Sequence, residues 1–232
     1  MYIASFDIGK KNFAFVIEDV DEDAYQKIND VTKKYKPDGT PTDEYSEILK
    51  QISTLSKVVL IKNIDLTVGC EKKYFDSKLY INMTDCLNSF KEYWEKCSVI
   101  LIEQQMDFGR TKRNPMARKL GQHCYSYFSI FYRDVKTLLE YPAYHKTQVL
   151  GAPKKFGTIT KTYKNGKTVE IKDNRKKWSV RFTTDVLERR QDKDSLEILQ
   201  EKSKQDDMSD CILMIMSYCV LKYIIKNKKI GY

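Results

Sequence analysis

The chain opens on an apolar run rich in β-branched and aromatic residues, Tyr2 to Asp7. It breaks at Gly9 and resumes as a second run from Asn12 to Ile17. Apolar runs bounded by turn formers read as strands, here a hairpin turning through Ile8-Gly9-Lys10-Lys11. Residues 18–56 lose that pattern and carry the turn signal Pro37-Asp38-Gly39, which predicts a polar insertion with helix over Asp43 to Leu55. Lys57 to Val68 predicts a third strand. From Tyr80 to Cys97 the apolar residues Ile81, Leu87, Phe90 and Trp94 recur at helical spacing. Ser98 to Glu103 (SVILIE) is continuously apolar until its final carboxylate, as suits a strand covered by helices on both faces.

Met116 to Tyr132 predicts another helix and Val135 to Tyr141 another strand. A meander of three strands followed by helix–strand–helix–strand is an α/β pattern. Residues 153–177 change character to a basic stretch in which Asn165-Gly166 separates two alternating segments, the signature of a β-hairpin. Trp178 to Arg189 predicts a helix, 190–205 a charged connection, and Asp207 to Ile225 a closing helix. With no internal repeat, the 232 residues read as one domain carrying two elaborations, 18–56 and 153–177.

Composition narrows the function classes. A hydrophobic fraction of 41% supports a real core, and a net charge of +9 from 41 Lys and Arg against 32 Asp and Glu suggests a polyanionic partner. The six cysteines form no C-x-x-C pair and mostly sit in apolar runs. With only two histidines beside them, they suggest buried free thiols rather than a zinc site or a disulfide framework. The N-terminus shows neither a secretory nor an Arg-rich targeting pattern. The longest apolar stretch, near Cys211 to Ile225, is interrupted by Ser217 and Lys222. The expectation is an intracellular, reducing location with no membrane partner.

Acids stand where a buried sheet would not otherwise hold them. Asp7 ends the first strand, Glu103 ends a central apolar strand, and Asp207 and Asp210 open the closing helix, three residues apart and so on one side of its first turn. Taken singly, Asp7 also fits a turn former and Asp207 a helix-dipole partner. Glu103 is harder to explain that way, because it directly follows Val-Ile-Leu-Ile and burial without a partner is costly. Converging carboxylates repel one another unless a cation intervenes. All-oxygen ligands suit Mg²⁺, with Mn²⁺ as a substitute. Two such ions, about 3.5–4 Å apart, can drive in-line attack on a phosphodiester.

These residues also carry a resemblance. Asp7-Ile8-Gly9-Lys10-Lys11-Asn12 resembles the D-x-G-x-x-N opening of the RuvC-like Holliday junction resolvases, in the poxvirus and yeast-mitochondrial branch. Ile102-Glu103-Gln104-Gln105 is similar to that family's second acidic strand, and Asp206-Asp207-Met208-Ser209-Asp210 to its D-D-x-x-D helix start. The motifs occur in the family's order along nearly the whole chain. The resemblance implies a ribonuclease H-like fold, a mixed central sheet flanked by helices. It also implies Asp7, Glu103, Asp207 and Asp210 as catalytic metal ligands, a homodimer matched to a two-fold symmetric junction, and symmetric nicking of four-way DNA junctions. No nucleotide cofactor is implied. A large DNA virus, at its replication site or in its virion, is the implied setting, ahead of a mitochondrion.

Basic residues near these acids are candidate DNA contacts. Lys10 and Lys11 lie in the first turn; Gln105, Arg110, Arg113, Arg118 and Lys119 follow the second acidic strand; Lys146 lies in a segment that resembles the family's polar loop into a helix. Lys161, Lys164 and Lys167 stud the basic hairpin, where they would track a duplex arm. Most of the sixteen tyrosines read as core or amphipathic residues rather than as base-stacking platforms. Three alternatives stay open at this level: a nuclease of the same fold acting on flaps or RNA–DNA hybrids, a non-catalytic branched-DNA binder, and, last, a phosphotransferase whose second phosphate loop is missing from the sequence.

Overall fold

In the computed structural model, which describes residues 1–71, 76–105, 115–162, 166–201 and 204–225, the chain begins as a three-strand meander. β1 (Tyr2–Asp7) turns back into β2 (Phe13–Val20), followed by α1 (Glu22–Gln26), α2 (Asp43–Ile52) and β3 (Ser56–Ile64). After α3 (Ser77–Ser89) and α4 (Lys91–Lys96), β4 (Cys97–Gln104) lies parallel to β1 on its free side. α5 (Pro115–Tyr132) leads to β5 (Thr137–Pro142), parallel to β4. The sheet order is β3-β2-β1-β4-β5, with the first two pairings antiparallel. This is the expected mixed ribonuclease H-like sheet.

Alternation along the strands assigns the two layers. Ile3, Val99 and Leu101, with Ala14 and Val16, face one core. Ala4, Phe6, Ile100 and Ile102, with Phe13 and Phe15, face the other. The second core is aromatic: the Phe6 ring lies 5.3 Å from Trp94 and 5.2 Å from Phe128, beneath α4 and α5. Each such side chain, fully buried, stabilises the fold by roughly 1.5–3 kcal/mol.

The chain continues through α6 (Ala143–Val149), a separate hairpin of β6 (Thr158–Thr162) and β7 (Thr168–Lys172), α7 (Arg175–Arg189), α8 (Lys193–Glu201) and α9 (Gln205–Cys219). α9 lies on β1 and β2, with α6 and α7 also packed against it. That position explains why its sequence is apolar on nearly every side, as in a helix enclosed all round. The Ser5 hydroxyl donates to the Cys211 carbonyl at 2.8 Å and the Cys211 thiol to the Ala14 carbonyl, so the helix is pinned in register to two strands.

The sequence-based expectations need four corrections. The helix expected from Tyr80 to Cys97 is two helices, broken at Phe90 (φ −111°, ψ 19°), whose ring meets Phe15 edge-on at 5.1 Å. Segment 18–56 is no polar appendage, since Tyr25, Tyr45, Leu49 and Ile52 are buried in the core and the Tyr35 and Tyr45 hydroxyls both donate to the Val149 carbonyl. The charged connection 190–205 contains α8, held by buried Leu199 with Leu196 and Ile198 partly buried beside it. The closing helix ends at Cys219 and continues as a π-helix, Val220–Ile224. The basic hairpin forms as expected, although its turn includes residues outside the described set. All six cysteines are free thiols, four of them buried.

At the edge of the sheet remote from Asp7, Glu18 is fully buried and meets Arg190 (Nη1 to Oε1, 2.6 Å), whose Nε also donates to the Ser53 carbonyl at 2.7 Å. Arg190→Met would leave a buried carboxylate uncompensated, at a cost of about 3–5 kcal/mol. Replacing both residues with apolar ones should cost far less. Denaturant midpoints of the single and double variants check this; equal losses in the two would count against it.

Candidate metal centre

β1 and β4 are parallel neighbours with Phe6 opposite Ile102, so their C-terminal ends lie at one edge of the sheet and the next residues, Asp7 and Glu103, stand side by side. Asp210 arrives from the first turns of α9, one residue before the Cys211 carbonyl that Ser5 holds. One carboxylate oxygen each from Asp7, Glu103 and Asp210 lies within 4.8 Å of the others. The turn after Asp7 is tight: a Cβ on Gly9 would sit 2.7 Å from the Asn12 carbonyl oxygen, so only glycine fits.

The ammonium of Lys146, on α6, sits among these acids. Its Nζ donates to Glu103 Oε1 and to Asp210 Oδ2, both at 2.6 Å, with only 8% of the side chain exposed. Sequence reasoning placed Lys146 against phosphate; the structure instead engages it as an internal counter-ion. Burial alone would lower its pKa, but Glu103, Asp210 and Asp7 outweigh that and raise it. Burial, then Glu103, pushes the Asp7 carboxyl well above the usual range, partly offset by Lys146. Burial likewise raises Asp210, and Lys146 opposes it.

Asp207 stands outside the tight trio. Half-buried at the start of α9, it is raised to about 6, first by burial and then by Asp206, against which Lys176 and Lys204 act. Asp206 itself pairs with Lys176 of α7. The two acids three apart thus differ in setting, Asp210 inside the cluster and Asp207 at its rim.

The donor set fits a hard divalent cation. It is oxygen-only, and Asp210 Oδ1 is buried with no hydrogen bond of normal geometry among the described residues, the Ser179 hydroxyl being the polar group near that carboxyl. Beside the cluster runs a groove of about 520 Å³ whose lining includes Glu103, Gln105, Arg118 and Lys119. Gln105 Nε2 also donates to Glu103 Oε2 at 3.3 Å. Lys10 and Lys11 lie in the turn beyond Asp7, where Lys11 is exposed. Lys161 and Lys167 are on the hairpin, away from this trio; Arg110, Arg113 and Lys164 lie outside the described residues. His145 packs edge-on between the rings of Tyr141 and Tyr144, and burial lowers its pKa. The pairing of Lys176 with Asp206 was missed in the sequence, because one lysine in a basic run gives no sign of its partner.

Against solved structures, the fold is that of the RuvC-like resolvases within the ribonuclease H-like class. The yeast mitochondrial Holliday junction resolvase superposes with a TM-score of 0.56 at 14% identity, over 98% of this chain and 81% of that one. A fowlpox virus resolvase solved with Holliday junction DNA gives a TM-score of 0.49 at 19% identity, over 94% and 97% of the two chains. No family model matches the sequence. The chain belongs to the family of the protein called "Uncharacterized protein 170L" of Invertebrate iridescent virus 6, with 32% identity over 231 residues, 94% of this chain and 88% of that one. Protein 97L of Invertebrate iridescent virus 3 is 28% identical over 225 residues, 93% and 98% of the two chains. Among the described residues no helix is long and apolar enough to cross a membrane.

Two measurements test this electrostatic arrangement. In metal-free protein, a carboxyl NMR titration should show Asp207 near 6, moved down by Asp206→Asn and up by Lys176→Gln. Between its unfolded value of 3.8 and about 6 the folded chain keeps a proton that the unfolded chain has lost, so this carboxyl lowers stability as pH rises through that window. Asp207→Asn should therefore raise the metal-free melting temperature at about pH 8 and leave it unchanged at about pH 3. Separately, Lys146→Met leaves the three acids uncompensated. In chelator it should cost about 3 kcal/mol, and added Mn²⁺ should raise its melting temperature more than the parent's. Equal Mn²⁺ shifts would show that the ammonium does not balance the cluster.

Proposed function

We propose that this chain is a Mg²⁺-dependent endonuclease that cuts four-way DNA junctions with symmetric nicks, acting as a homodimer by two-metal-ion hydrolysis. The observation that carries the reading is the meeting of Asp7, Glu103 and Asp210 at one sheet edge, within a fold shared with the yeast mitochondrial resolvase. Asp7, Glu103 and Asp210 would hold the ions, and Asp207 would complete the set from the rim of the cluster. Bound there, Mg²⁺ or Mn²⁺ supplies the Lewis-acid charge that attack on a phosphodiester requires.

The chain's own residues divide the remaining work. Asp210 Oδ1 and Asp7 offer carboxylate oxygens. Lys146 keeps the cluster compensated through its bonds to Glu103 and Asp210, the two carboxylates it would share with an ion held there. Gln105, Arg118 and Lys119 line the groove beside Glu103, where they would hold the phosphates flanking the cut. Lys10 and Lys11 would contact the strand from the turn beyond Asp7. A second copy of the chain accounts for exposed Ile130, Phe131 and Val135 at the end of α5, apolar surface of the kind that association covers. The viral relatives favour a viral replication setting.

Asp7→Asn should reduce Mg²⁺-dependent cutting by about a thousandfold or more, since a divalent ion contributes several kcal/mol and each ~1.4 kcal/mol is tenfold. Junction binding should survive. The check is a substrate panel of four-way junction, flap, linear duplex and RNA–DNA hybrid, each with and without Mg²⁺. Paired symmetric nicks confined to the junction support the reading. Preferential cutting of flaps or hybrids would move the assignment to another nuclease of this fold, and undiminished cutting by Asp7→Asn would remove the metal site.

A further inference from the structure

β6 and β7 form a two-stranded ribbon separate from the main sheet. Such a ribbon is marginally stable alone, and this one is anchored at its base. There the Asp173 amide donates to the Gly157 carbonyl at 2.8 Å, Arg181 grips the Asp173 carboxylate with two bonds of 3.1 and 2.9 Å, and Lys177 Nζ donates to the Lys172 carbonyl at 2.9 Å. The Asn174 side chain then caps α7 through the Lys177 amide. Lys176, in the first turn of that helix, pairs with Asp206, the neighbour of Asp207. The ribbon is therefore rooted on the side of the molecule that holds the carboxylates.

Its two faces differ. Cross-strand partners share a side and successive pairs alternate. Ile159 with Ile171 and Lys161 with Val169 take one side, where the three apolar residues are half-buried. Thr158 with Lys172, Thr160 with Glu170, and Thr162 with Thr168 take the other, where all six are exposed. The outward face is thus a set of hydroxyls with one lysine and one acid. Across residues 153–177 the only acids are Glu170 and Asp173, and Arg181 already neutralises Asp173.

We infer that this ribbon binds the phosphate backbone of one duplex DNA arm while the carboxylate cluster holds the cut site, through the hydroxyls and Lys172 of its threonine face, with Lys161 on the opposite side and Lys167 at the turn end adding positive charge. The match is chemical and dimensional: hydroxyls and lysines donate to phosphate oxygens, and a two-stranded ribbon is of a size that a DNA groove accepts. The identity of the nucleic acid rests on the nuclease reading above; the ribbon's affinity for a phosphate backbone does not. Glu170 is the one group on that face that opposes such binding, and its removal gives a test with the opposite sign.

The experiment uses the full chain carrying Asp7→Asn, so that the DNA stays intact, with fluorescence anisotropy on a four-way junction and on a linear duplex across a salt series. Lys161→Gln, Lys167→Gln and Lys172→Gln together should weaken binding to both DNAs and reduce the slope of log affinity against log salt by about one per lysine that touches phosphate. Glu170→Gln should tighten binding by about twofold to fivefold, the range of one exposed charge contact; misfolding cannot produce that gain. If both variants bind like the parent with the same slope, the ribbon is not a DNA contact. That failure is distinct from failure of the nuclease reading, which is a parent chain carrying Asp7 that cuts no junction in Mg²⁺.

Discussion

Everything at the functional end of this molecule depends on holding three carboxylates within 4.8 Å of one another where water is scarce. Mutual repulsion and lost hydration both favour the protonated forms, and the raised Asp7 and Asp210 carboxyls express that cost. The protein meets it with the Lys146 ammonium, shared between Glu103 and Asp210 at equal 2.6 Å distances. One cation for three acids leaves the cluster short of positive charge. It also leaves Asp210 Oδ1 without a hydrogen bond of normal geometry among the described residues, a setting that suits a hard cation.

The fold sustains this cluster by rigid register. Parallel pairing brings two strand ends to one edge, something an antiparallel pair of β1 and β4 would not do. The Ser5–Cys211 and Cys211–Ala14 contacts stop α9 from sliding along the sheet, so Asp210 stays beside Asp7. Away from the acids, the aromatic core and the Glu18–Arg190 pair hold the sheet together. The Glu18–Arg190 ion pair is matched one to one, the acidic cluster is not, and that imbalance marks the functional end.

The surface around the cluster extends the same polarity outward. The groove beside Glu103 offers Gln105, Arg118 and Lys119, and the ribbon offers hydroxyls and lysines at a greater distance. Tyrosines expected in the core are found there: Tyr25, Tyr45 and Tyr141 are buried, with hydroxyls bonded to the Ile52 and Val149 carbonyls and the Ser217 hydroxyl.

The strands, most of the helices and the acids at their ends were legible in the sequence, because burial on both faces of β4 writes an unbroken apolar run and enclosure of α9 writes an apolar helix. Asp7, Glu103 and Asp210 stood out as carboxylates interrupting those patterns. What the local pattern could not carry was anything decided by contacts between distant segments. Lys146 looks like any lysine near a strand end until α6 sets it between residues 103 and 210; Tyr45 looks polar until its hydroxyl finds the Val149 carbonyl; α8 has too little apolar surface to announce itself. Asp207 and Asp210 are equivalent by spacing, yet only the packing of α9 against β1 puts one inside the cluster and leaves the other at its rim. Sequence determined which groups were available at which strand ends; tertiary structure decided which of them share a charge.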